Sequence, residues 1–153
     1  MAAPIQEAID GGLASEADEP IAALHRFYRA LNTRDLAAME AAWEAGEDPS
    51  MDNPLGGITR GWPYIRQGYE TPFAARGSFH FEFYDYTLHV IGEVFLAVGR
   101  ERGHIEAGEE RLPLAIRTTR FFRRHGDAWR QFHHHGSIER PEMLKAYLEA
   151  VVA

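Results

Sequence analysis

Residues 118–137 read TTRFFRRHGDAWRQFHHHGS. Two runs rich in aromatic and β-branched side chains flank the tripeptide His125-Gly126-Asp127, the pattern of two strands joined by a tight turn. The same texture reaches back to Gly77. Stretches 79–91, 94–102, 112–124 and 129–137 alternate with short Gly-bearing breaks, and they predict four long antiparallel strands. Upstream, the apolar period changes from two to about 3.6. Ile21, Leu24, Phe27 and Leu31 form one helical face, with Asp18 available as a cap and Pro20 suited to the first turn. Leu36, Met39 and Trp43 mark a shorter second helix, and Pro63 opens a third that carries Ile65, Tyr69 and Phe73. Pro72 is expected to end that helix early. A last helix places Leu144, Tyr147, Leu148 and Val151 on one side. Helices followed by a run of strands predict an α+β domain, with the helices covering one face of a bent sheet.

A chain of 153 residues fits one such domain. We expect a flexible arm over residues 1–17, which are small, acidic and without period, and a single domain over 18–153. The absence of cysteine excludes a disulfide framework and thiolate ligands for zinc. Net charge is -7, and no lysine and arginine patch is interleaved with aromatics, so nucleic acid is not expected as a partner. The four arginines of RTTRFFRR split between the two faces of a strand and make no basic stripe. No apolar stretch approaches a membrane span and the first residues carry no basic and apolar leader, which leaves a cytoplasmic, membrane-free protein as the expectation.

The order of helix hairpin, short extended piece with NPLGG (53–57), helix from GWPYIRQGY (61–69) and strand meander resembles the NTF2-like superfamily, which includes SnoaL-like proteins and ketosteroid isomerase. Within it, HVIGE (89–93), AVGR ending at Arg100, and TTRFFRRHGDAWRQFHHHGS are most similar to the association domain of calcium/calmodulin-dependent protein kinase II. The resemblance covers roughly residues 19–138. It implies a cone, also called a cystatin-like fold, in which a curved antiparallel sheet wraps three helices around a pocket. It also implies a homodimer paired through the convex face of the sheet.

The resemblance to ketosteroid isomerase stops short of its chemistry. That reaction uses an aspartate base, with a tyrosine and a protonated aspartic acid as oxyanion donors. The matching positions here are Asn53, Phe27 and Thr118. An amide is no base at neutral pH, and the phenol and the carboxylic acid are gone. Asp52, one residue from Asn53 on an extended piece, is expected on the opposite side.

The resemblance to the kinase association domain implies pocket arginines at Arg100 and Arg120, with a third such position at Gly136. Alternation along each strand then puts Leu96 and Val98 beside Arg100, Thr118 and Phe122 beside Arg120, and Phe132 and His134 beside Gly136. His134 points into the pocket, whereas Gln131, His133, His135 and Ser137 are expected on the convex face. His133 and His135 lie about 7 Å apart and would need a third ligand from elsewhere, so no metal and no cofactor are expected. His134 is the candidate acid or base, because an unperturbed imidazole titrates near neutral pH. Arg100 and Arg120 must each meet a carboxylate, either a ligand's or one such as Glu82, Glu101 or Glu106. With Phe27, Asn53, Thr118, Tyr69 and Phe132 they form the candidate ligand-binding set, and the expected partner is a small apolar molecule bearing an acidic group. Two alternatives stay open: an enzyme like the isomerases and polyketide cyclases that works through His134, and a homo-oligomeric association module.

Overall fold

The computed structural model describes residues 2–15 and 17–152. Helix α1 (Pro20–Thr33) starts with Pro at its first turn and ends on Arg34 in the left-handed region, φ 55°. Its cap residue is Glu19, and the Asp18 expected there instead accepts from Arg124 at 2.6 Å. Helix α2 (Leu36–Ala42) is capped by Asp35, whose carboxylate accepts from the Ala38 N–H at 2.9 Å. After β1 (Ser50–Asp52) and β2 (Thr59–Arg60), α3 (Trp62–Ala74) runs past Pro72 rather than stopping at it. The carbonyl that Pro72 leaves without a donor belongs to Gly68, which is exposed and can be served by water.

Strands β3 (Ser78–Ile91), β4 (Val94–Ala107), β5 (Glu110–His125) and β6 (Ala128–Ile138) form the predicted meander. The sheet order is β2-β1-β6-β5-β4-β3, all antiparallel except β1, which runs parallel to β6. The fold is thus α+β, a curved and unclosed six-stranded sheet around α1, α2 and α3. Strand β4 continues five residues beyond the predicted end at 102. Gly103 makes this possible, with φ 133° and its backbone so close to β3 that a Cβ would sit 1.9 Å from the His80 carbonyl oxygen. Strand β3 has an irregularity between Tyr84 and Thr87, where Asp85 takes φ 50°. Phe83 and Tyr86 therefore both point inward, over Gly99.

The segment expected to be a loose arm is partly docked. The Ile5 and Ile9 backbones exchange hydrogen bonds with Tyr86 and Phe83 along the outer edge of β3, and Ile9 is 1% exposed. The sequence hid this because two anchoring residues in a polar stretch carry no period. The core sits between helices and concave face: Leu24, Phe27 and Tyr28 of α1 and Met39 of α2 pack on Phe83, Phe95 and Phe122. Phe95 stacks on Phe122 at 4.5 Å between ring centroids.

Candidate functional site

Alternation on β5 carries Leu114, Ile116, Thr118, Arg120 and Phe122 into the cone, as the sequence predicts. Arg120 is 3% exposed and fully engaged. Its Nε donates to the Tyr28 hydroxyl at 3.0 Å, Nη1 to Gln131 Oε1 at 3.0 Å and Nη2 to Glu101 Oε1 at 2.7 Å. The guanidinium lies 4.0 Å from the centroid of Phe27. The Tyr28 hydroxyl donates to the same Glu101 oxygen at 2.6 Å. Burial alone would lower the Arg120 pKa, but Tyr28, Glu101 and Tyr69 outweigh it and the group stays charged. Burial likewise pushes the Tyr28 phenol well above its ordinary value, so it acts as a donor and not as a phenolate. A charge pair in this setting holds because each guanidinium nitrogen has a partner, and removing one partner would strand the other.

His134 on β6 sits opposite Arg120 on one side and Met51 of β1 on the other. It is 7% exposed, and neither ring nitrogen has a hydrogen-bond partner among the described residues. Burial first, then the charge of Arg120 and the flanking His133 and His135, hold its pKa well below the ordinary 6.5. The ring is therefore neutral, with one donor and one acceptor to offer. Its Nε2 is buried next to Gly136: a Cβ there would lie 3.3 Å from that atom and 3.3 Å from Pro54. Thr118 pairs with Gly136 across the sheet, and its buried hydroxyl is also without a partner. So are Nε1 of Trp43 and Nε2 of Gln131.

Beyond Pro54 lies a cavity of about 580 Å³, lined by Asn53, Pro54, Gly136 and Leu144 and, from the convex side, by Asp52 and His135; His134 and Thr118 are not on its wall. Helix α4 (Leu144–Val152), reached through the short turn Pro141–Met143, packs against β5 at this end. Burial, then the nearby Glu101 charge, pushes the Tyr147 phenol up to about 12. Asn53 holds the turn at the cavity wall, its side chain accepting from the Leu55 N–H at 3.0 Å. Tyr69 lines the buried core beside Trp43, and burial pushes its phenol up to about 12.

Five predicted placements are corrected, those of Leu96, Val98, Arg100, Gln131 and Phe132. Arg100 pairs with Arg117 on the convex face, 45% exposed, bound to Asp85 at 3.0 Å and to Glu139. The interior position belongs to its neighbour Glu101. Leu96 and Val98 made the Arg100 face of β4 look like the core side, whereas the true inner face is Phe95, Ala97, Gly99 and Glu101. Phe132 lies on the convex side too, and Gln131, expected there, is 0% exposed inside the cone. The cause is a bulge: the register runs Phe121 to His133 and then Phe122 to Gln131, so Phe132 is the extra residue. Phe132 and His133 both stand beside Phe121, each at 5.9 Å between ring centroids. Strict alternation missed Gln131 for that reason, and missed Tyr28 because helix rotation was unresolved where two aromatics adjoin.

The family profile described as a SnoaL-like domain matches residues 21–141. No curated protein matches the sequence. Among solved structures, a protein from Thiobacillus denitrificans described as a calcium/calmodulin-dependent protein kinase type II association domain is 28% identical, with a TM-score of 0.68 over 79% of this chain and 95% of its own. A protein from Streptomyces avermitilis, described as a dehydratase of the NTF2-like family, is 23% identical, with a TM-score of 0.70 over 77% and 91%. The hub domain of the same kind of kinase from S. rosetta is 13% identical, with a TM-score of 0.69 over 82% and 98%. The last two likenesses carry the fold alone.

Proposed function

Since the chain belongs to the SnoaL-like domain family, we propose that it binds a small, mainly apolar molecule in the mouth of the cone, with His134 and Thr118 hydrogen-bonding the polar end of that molecule. The observation that carries this reading is His134 itself, shut away from water, with neither ring nitrogen partnered among the described residues and Nε2 next to Gly136, which lines a cavity. Buried polar atoms are almost always paired, so a cluster of unpaired ones invites water or a ligand. Apolar walls, here Pro54, Ile58, Ile138 and Leu144, with a few polar groups are the ordinary make-up of such sites.

Arg120 bears on which polar end fits. With Glu101 2.7 Å away the interior pair is already neutral, and Arg100 lies outside. A full carboxylate would have to compete with Glu101. A carbonyl, enol or phenol asks only for the neutral imidazole and the hydroxyl, so the acidic group of the ligand is narrowed to a weak acid or a neutral acceptor. His134 lacks a carboxylate to orient it, which favours binding over acid/base turnover.

The test is a thermal-shift panel of aromatic ketones and phenols beside matched carboxylic acids and hydrocarbons, on the wild type, His134→Ala and Thr118→Val. A ligand at a hundredfold excess over its Kd adds about 2.7 kcal/mol. A shift with ketones or phenols that His134→Ala removes supports the reading. Acids that shift best, or a shift indifferent to His134, would overturn it.

A second reading, self-association, has its own support in the 28% identity to a described association domain and in the apolar convex face, where Val98 is 39% exposed. In this reading two copies pair through that face.

A further inference from the structure

The three consecutive histidines divide between two faces, and the outer pair acquires a companion from another strand. Because β1 runs parallel to β6, Ser50 lies opposite His133, Met51 opposite His134 and Asp52 opposite His135. Asp52, expected away from the cone, is on the convex side with both outer histidines. One ligand atom from each of Asp52, His133 and His135 lies within 4.8 Å of the other two. We propose that these three residues bind a first-row divalent metal ion of the zinc class on the convex face of the sheet.

The donor set suits that chemistry. Two imidazoles and a carboxylate favour zinc, cobalt or nickel over the oxygen-seeking magnesium and calcium. Donors around a tetrahedral ion with bonds of ~2.0–2.2 Å stand about 3.4 Å apart. Nδ1 of His135 is already 3.1 Å from Oδ2 of Asp52, so closing the remaining gap takes side-chain rotation and no backbone movement. The other Asp52 oxygen, Oδ1, is buried with no hydrogen-bond partner among the described residues, a state that a cation relieves. The Ser50 hydroxyl, 2.7 Å from Nδ1 of His133, fixes that ring as outer partners fix metal-bound imidazoles. The cation next in register, Arg60 opposite Ser50, is exposed and free to turn to solvent. Three protein ligands leave one position of a tetrahedron, which water or a second copy of the chain would fill. His134 points the other way and takes no part, whereas Asp52 and His135 also line the cavity beyond Pro54, so His134→Ala and Asp52→Asn tell the two readings apart.

Tag-free, chelator-treated protein titrated with Co²⁺ is expected to develop ligand-field absorption saturating at one ion per chain. Zn²⁺ at a hundredfold excess over its Kd is expected to raise the Tm by roughly 5–10 °C. Asp52→Asn and His135→Ala should each weaken binding more than about 100-fold, and Ser50→Ala about 10- to 100-fold. His134→Gln should leave it unchanged. His135 is 58% exposed, so its variant tests the site without endangering the fold. Absence of cobalt bands and of a zinc shift in the wild type would overturn the proposal, as would binding that survives both Asp52→Asn and His135→Ala.

Discussion

An imidazole removed from water loses its readiness to take a proton, and His134 has lost it with no compensating partner. Below its ordinary value of 6.5 the unfolded chain binds a proton at this residue while the folded chain does not. The unfolded state then holds more protons, so stability falls as the pH is lowered through 6.5 and keeps falling until the lower folded value is reached. Between pH 7.5 and 5.5 this one residue is expected to remove on the order of 1 kcal/mol. The measurement is the Tm at both pH values for the wild type and His134→Gln. The wild type should lose roughly 3–5 °C more than the variant, and equal losses would mean that solvent reaches the ring. At this scale the sequence speaks through alternation, with the family resemblance saying which face is the inner one. It places Thr118, Arg120 and His134 inward, and His133 and His135 outward, because β5 and the end of β6 are regular. It fails at Arg100, where both faces of β4 are apolar, and at Gln131 and Phe132, where a bulge adds a residue that no composition signals.

Among elements, β4 depends most on a single position. Gly103 occupies φ 133°, where side chains are strained, and its missing Cβ makes room for the His80 carbonyl. Gly103→Ala is expected to destabilise by more than about 2 kcal/mol. Gly108→Ala, in a turn at φ 62° with open space around it, should cost only about 1 kcal/mol. Urea unfolding of both variants makes the comparison, and equal costs would show that the bend in β4 tolerates a side chain. Element type was legible for the four long strands and four helices, which follow from period and breakers, but the two-residue β2 carries too few residues to show a period. Element ends were less so. Glycine at 103 looks like a loop residue until the neighbouring backbone is seen, and Pro72 looks like a stop until Gly68 is seen to be exposed.

For the molecule as a whole, the apolar residues of the convex face ask to be covered. Ile91 and Val98, both on that face, are 68% and 39% exposed. Sedimentation equilibrium of the wild type is expected to give a dimer or larger assembly, and Val98→Glu to shift it toward monomer with the Tm of the isolated chain unchanged. A wild type that stays monomeric at high micromolar concentration would remove the association reading.

The parallel seam between β1 and β6 also bears on the order in which the chain assembles. Strands β3 to β6 join through two-residue turns and can pair as soon as they exist, whereas residues 50–52 meet residues 133–135 only after most of the chain lies between them. Closing so long a loop is slow beside zipping a hairpin. During synthesis the N-terminal strand therefore has to wait until β6 has left the ribosome, with the helix hairpin formed and Met51 still in water. The cone mouth at Pro54 and the pairing of Asp52 with the outer histidines are expected to be the last surfaces completed, and the first to open when the protein is strained.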